Sequence, residues 1–129
     1  DVLCATIDIG NVVATPGAKI KFAGFTGAED GGQAPAFTTF FFNTSPGQSA
    51  AANEAVVWGA NDDDYHAGFF PVVGGDWKTG GSLSFLKQCG ADLDIDMGSS
   101  TRLWAVIVLD SAYDAVAAND LRLTFHFDQ

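Results

Sequence analysis

A chain of 129 residues is long enough for one domain that buries about two-thirds of its unfolded surface, and 47% hydrophobic and 12% aromatic content, eleven Phe among it, excludes a disordered chain. Sixteen acidic against six basic residues give a net charge of -10; such a surface repels phosphate backbones and anionic lipid heads, which excludes nucleic acid and membrane partners and favours cations. Fifteen Gly and four Pro cut the chain into short segments without a sustained helical period, so the expectation is an all-β protein with a single domain over 1–129. The acids are equally accounted for by simple solvation of a Phe-rich domain.

Residues 2–9 alternate, with Leu3, Ala5, Ile7 and Ile9 on one side, and read as a first strand ended by Gly10-Asn11. After the Pro16-Gly17 turn, residues 18–25 alternate again, with Ile20 and Phe22 inward and Lys19 and Lys21 outward. A polar loop at 26–35 holds Glu29 and Asp30, and its length marks it as more than a hairpin turn. Residues 37–42, FTTFFF, place Phe on both faces and suit a strand covered twice. Residues 43–53 read as loop; the sequon at Asn43 is followed by Pro and is taken as chance. A short strand is expected at 54–59, then an acidic loop from Asn61 to His66 with Asp62, Asp63 and Asp64, then a return to the core at 69–73.

Gly74 to Gly81 form an open loop presenting Trp77 beside Asp76. Residues 83–89 read as a strand with Leu83, Phe85 and Cys89 on its inner side, facing the first strand across a disulfide. That pairing, Cys4 with Cys89, is the simplest account of two cysteines without a CxxC or zinc pattern. It would close a loop of roughly 86 residues and stabilise by about 4 to 5 kcal/mol in the chain-entropy model. With no signal peptide or apolar span and a first residue other than Met, a secreted or extracellular product is expected.

Asp92, Asp94 and Asp96 share one face of an alternating run, which must be solvated or neutralised by a cation. It is not a helix-loop-helix calcium loop, because Met97 stands where that loop needs Gly and Leu103 where it needs Glu. The last quarter holds two more strands: 103–109 is apolar throughout and should be central, whereas 121–127 alternates and should be half-exposed. The count is eight or nine strands, in a β-sandwich of jelly-roll type, with an immunoglobulin-like sandwich as the alternative.

Between these strands Asp110, Asp114, Asn119 and Asp120 gather hard oxygen donors, the set that calcium takes from flexible loops; Asp62 to Asp64 compete for that role. An ordinary turn also uses Asp and Asn, so a loop without metal stays open. His66 and His126 are not tied to a nucleophile by any motif, and two Glu in so short a chain make a glycosidase cleft improbable, so no enzyme is expected. Trp77 with Asp76, and Tyr113 in the acidic link, are the candidates to stack on a sugar ring, while Trp58 and Trp104, inside apolar runs, are assigned to the core.

The segment TPGAKIKFAGF at 15–25, and the closing pattern of an apolar strand, Asp110, a short loop, Asn119-Asp120 and an alternating last strand, resemble the calcium-dependent galactophilic lectins of pseudomonads. The resemblance covers under a third of the chain; Leu109 stands in place of the family's Asn, and Ala118 interrupts its Asn pair. It implies a small jelly-roll sandwich in which Asp110 and Asn119, with Asp114 and Asp120 nearby, hold calcium that in turn meets sugar hydroxyls. The expected function is a non-enzymatic, carbohydrate-binding module assisted by calcium, with oligomer formation open. The alternative is a structural or protein-interaction subunit of a surface, capsid or appendage.

Overall fold

The computed structural model describes residues 1–88, 90–113 and 120–129. Its strands are β1 (Ile7–Asn11), β2 (Ile20–Glu29), β3 (Phe37–Phe42), β4 (His66–Val72), β5 (Trp77–Gly80), β6 (Leu83–Gln88), β7 (Leu93–Ile95), β8 (Arg102–Leu109) and β9 (Leu121–Asp128), with a short α-helical turn, α1 (Asp62–Tyr65), and a 3-10 turn at Gly74–Asp76. All pairings are antiparallel. One sheet runs β1-β8-β3-β4; the other runs β5-β6-β2, with β7 and β9 also paired to β2. Two sheets packed on one apolar core make the all-β sandwich that the pattern of short alternating segments predicts.

The core explains why the halves meet. Leu103, Ala105 and Ile107 of β8 and Phe37 and Phe41 of β3 point at Ile20, Phe22 and Phe25 of β2 and Leu86 of β6. Phe22 is fully buried, with Phe25 and Phe41 at 4.9 Å, Phe70 at 5.0 Å and Phe127 at 5.3 Å between ring centroids. These edge-on and tilted contacts place the positive rim of one ring on the negative face of another. β8 is central, between β1 and β3, whereas β9 pairs only with β2 and shows alternating burial, as its alternating sequence requires.

Several elements differ from the sequence expectation. The first strand is shorter: Val2 makes only a bridge to Val108, and regular pairing starts at Ile7. Residues 54–59 form no strand; residues 43–61 instead cross the outer face of the first sheet, where Ala50 and Val56 cover Val106 and Phe42. β6 is reversed in its facing, with Ser84 and Leu86 buried and Leu83 and Phe85 exposed. Ser84 is accommodated inside because its hydroxyl bonds that of Thr79 at 3.0 Å. The acids of the DLDID run meet a cation, but it is Lys21, whose ammonium lies 2.8 Å from Asp92 and 3.6 Å from Asp94; the hydrogen bond to Asp92, then the charges of both acids, raise its pKa.

The first strand is paired with β8 in one sheet, and β6 with β2 and β5 in the other. Leu3, next to Cys4, donates its N–H to the Ile107 carbonyl, while Gln88 pairs with Phe25. Cys4 forms no disulfide among the described residues, burial pushes its thiol pKa up, and Cys89 lies outside them.

Phe22→Ala removes the ring on which Phe25, Phe41, Phe70, Phe125 and Phe127 converge. It is expected to lower unfolding free energy by about 3 to 5 kcal/mol, measured by urea denaturation against the parent; a loss below about 1 kcal/mol would contradict this packing.

Candidate functional site

The link after β8 was expected to hold the site. Because β8 and β9 belong to different sheets, this link passes from one sheet to the other instead of closing a hairpin. Asp110 is exposed at the end of β8; its carboxylate accepts the Thr38 hydroxyl at 2.7 Å and its N–H reaches the Ala36 carbonyl at 2.8 Å. The Asp120 carbonyl accepts the Asp30 N–H at 2.9 Å, which ties the start of β9 to the loop after β2. Asp114 and Asn119 lie outside the described residues, and among those described no group of three His, Cys, Asp or Glu is placed to hold a metal ion.

Tyr113 is committed to a buried carboxylate. Glu29, fully buried, accepts the N–H of Gly31 at 3.0 Å and of Gln33 at 2.6 Å, and Tyr113 donates its hydroxyl to it at 3.3 Å. Three donors stabilise a charge that would otherwise be costly to bury. Desolvation, then the Glu29 charge and hydrogen bond, with Asp120 and Asp30 further off, push the Tyr113 pKa up to about 12. Arg122 meets Asp30 at 3.1 Å beside it.

Trp77 is not a ligand surface. It is 7% exposed, its indole N–H donates to the Pro35 carbonyl at 2.9 Å, and its ring belongs to the core between the sheets. Asp76 is likewise occupied: its carboxylate accepts the Val73 N–H at 2.8 Å and the Gln88 amide at 3.2 Å, closing the turn into β5. A glycine-bracketed Trp has the freedom to fold back, and here burial of the ring with its N–H satisfied wins over exposure.

The aromatic surface lies elsewhere, on the outer face of the first sheet. The register sets Phe40 between Val106 and Phe69, and Phe42 between Trp104 and His66, so these side chains stand side by side on that face. Trp58, from the covering segment, meets Phe40 at 5.4 Å and Phe42 at 5.7 Å, and His66 stacks on Phe69 at 6.2 Å. Together with Asp63 they line an open pocket of about 620 Å³. Trp58 is 41% and Phe69 55% exposed.

The wall of this pocket is fixed by one buried acid. Asp62 accepts the Gly47 N–H on one carboxylate oxygen and the Gly59 N–H on the other, both at 2.7 Å. The two glycines touch: a Cβ on Gly59 would fall 2.7 Å from the Gly47 Cα, so no other residue fits there without displacement of backbone. The carboxylate thus fastens the outgoing arm of the covering segment to the returning one, just behind Trp58.

Trp58 was misassigned because 54–59 reads as an apolar strand. The signals pointing outward were the Phe at alternate positions 40 and 42, which fill a face that would otherwise be polar, and the acids directly after Gly59. Comparisons with protein-family models, curated proteins and solved structures find no match to this chain.

Tyr113 gives a pH test. Phenol is neutral below its pKa; the unfolded chain loses the proton near 10 and the folded one near 12, so the contribution of this group is fully present below pH 10 and is lost as pH rises through about 12. Phenolate absorbance should show one tyrosine titrating near 12, with its midpoint brought down in Glu29→Gln; ionisation of that tyrosine near its ordinary value would contradict the contact.

Proposed function

We propose that this chain is a non-enzymatic carbohydrate-binding module whose sugar lies in the pocket of Trp58, Phe40 and Phe69. The observation carrying this is an open, aromatic-floored cavity with Asp63 and His66 at its margin. A pyranose has an apolar C–H face suited to an aromatic platform and hydroxyls at its edge that donate to a carboxylate or an imidazole nitrogen. Charge-assisted bonds from hydroxyls to Asp63 would fix orientation, and stacking on Trp58 would supply affinity. Glycoside cleavage needs two available carboxyl groups; Asp62 has both oxygens on backbone N–H groups, which leaves Asp63 as the other acid lining the pocket.

Calcium enters the proposal only through Asp110. That residue is bonded to Thr38, which precedes Phe40 by two positions on the same face. The described donors alone do not make a calcium site, so no part of sugar recognition is assigned to the ion. A secreted setting goes with this reading through the expected Cys4–Cys89 disulfide. Among the described residues no helix is long and apolar enough to cross a membrane.

Binding should be measured on a glycan array and then by titration of intrinsic fluorescence, with calcium and with chelator in parallel. A glycan that shields a tryptophan from acrylamide, with affinity reduced about tenfold or more in Trp58→Ala and unchanged in Trp77→Phe, is the expected result. Loss of binding in chelator that Asp110→Asn reproduces would add calcium to the site. Absence of any glycan hit would sink the carbohydrate reading and favour an interaction subunit, which the exposed Val57, Trp58 and Phe69 would then serve.

A further inference from the structure

The second sheet has an outer face of opposite character. Of the six basic residues four lie on its strands: Lys21 on β2, Lys78 on β5, Lys87 on β6 and Arg122 on β9. Phe85, 48% exposed, stands in register with Lys78 on one side and Ala28 on the other, and Ala28 with Arg122 beyond. Leu83 and Lys87 flank Phe85 along β6 on the same face. Lys21 and Arg122 are paired with acids, whereas Lys78 and Lys87 make no ion pair among the described residues. An exposed Phe between two unpaired lysines is unusual on a chain of net charge -10.

The first sheet carries the complement. Its only basic strand residue, Arg102, is held by Asp8 at 2.7 Å, and its outer face exposes Phe69 and Trp58 beside Asp63 and Asp64. We infer that the two outer faces dock on each other between copies of this chain, with Phe85 of one copy set against Phe69 and Trp58 of the next and Lys78 and Lys87 against Asp63 and Asp64. The occupant follows from charge. A second copy presenting the same sheet would set lysine against lysine, and the aromatic face against itself would set aspartate against aspartate, so two-fold pairing is disfavoured on both faces. Only unlike faces attract, and a contact between different patches is head-to-tail: it leaves one free face of each kind and continues into a ring or a filament. This goes beyond the sugar reading: a docked copy covers Trp58 and Phe69 and so competes with glycan, whereas Phe85 lies outside the pocket of its own copy and Phe85→Glu should leave glycan binding by single chains intact.

Sedimentation velocity of the full chain at low salt, from ~10 µM to ~1 mM, tests it. Mass should grow with concentration past two chains and fall back near 1 M salt, where screening acts within about 3 Å. Phe85→Glu and Phe69→Glu should each remain single chains with melting points close to the parent, and their equimolar mixture should form pairs and nothing larger, since each variant retains one usable face. Lys78→Glu with Lys87→Glu should also stay single, and mixing it with a copy carrying Asp63→Lys and Asp64→Lys should restore growth, because both contacts between the two are then complementary. A parent that remains single at every concentration overturns the inference, as does a mixture that fails to pair, or growth that Phe85→Glu leaves unchanged.

Discussion

The carboxylate of Asp62 ties together two backbone segments at the edge of the pocket, next to the point where the Ser49 N–H donates to the Val57 carbonyl at 3.1 Å. Residues 43–61 leave the end of β3 and return to β4 without forming a strand, so the regular ladder does not fix their path. Hydrogen bonds to a charged group contribute about 1.5 to 3 kcal/mol each, and Asp62 makes two, to Gly47 and Gly59, from a buried position. The Gly47–Gly59 contact that results sets where Trp58 stands, and with it the pocket wall and the small apolar cluster of Val2, Phe42, Ala50 and Val106 under the covering segment. An acidic loop that looks like a solvated tip in the sequence is therefore partly an internal fastening.

A second buried acid works in the same manner at another loop. Glu29 closes the turn after β2 through the N–H groups of Gly31 and Gln33 and reaches Tyr113 from the far link. In both places a carboxylate is oriented by backbone donors, and the acids left on the surface, Asp63 and Asp64 on one side and Asp92, Asp94 and Asp30 on the other, meet different fates. The latter three are matched by Lys21 and Arg122, while of the former two Asp63 lines the aromatic pocket, and no lysine lies on the strands of that sheet. The uneven distribution of the strand bases, four on one sheet and one on the other, is thus a property of the fold that net charge alone conceals.

Periodicity and turn residues were sufficient for the class of fold, for β3 and β9, for the first part of β2 and for the central place of β8, because burial on one or both faces imprints itself directly on alternation; residues 26–29, expected as the start of a polar loop, instead extend β2 to the buried Glu29. The same rule misled at β6, where Leu83 and Phe85 read as the inner side; burial of Ser84 depends on a hydroxyl partner, Thr79, that local pattern does not reveal. Trp77 and Trp58 exchanged roles for a similar reason. The fate of Trp77 hangs on the Pro35 carbonyl, 42 residues away, and that of Trp58 on a segment with strand-like composition that never pairs. Of the acids in the 61–66 loop, Asp62 serves the backbone N–H groups of Gly47 and Gly59, and whether a carboxylate serves a ligand or a backbone N–H is decided by long-range geometry.

The account turns on the Asp62 fastening, and amide hydrogen exchange reads it directly. The Gly47 and Gly59 amides lie in segments without regular structure, where exchange should be fast unless the carboxylate holds them. The account predicts that both are protected to the same degree in the parent and that both lose protection together in Asp62→Ala while the amides of β2 and β8 keep theirs. Rapid exchange of either glycine in the parent protein, or protection that survives the substitution, would contradict it.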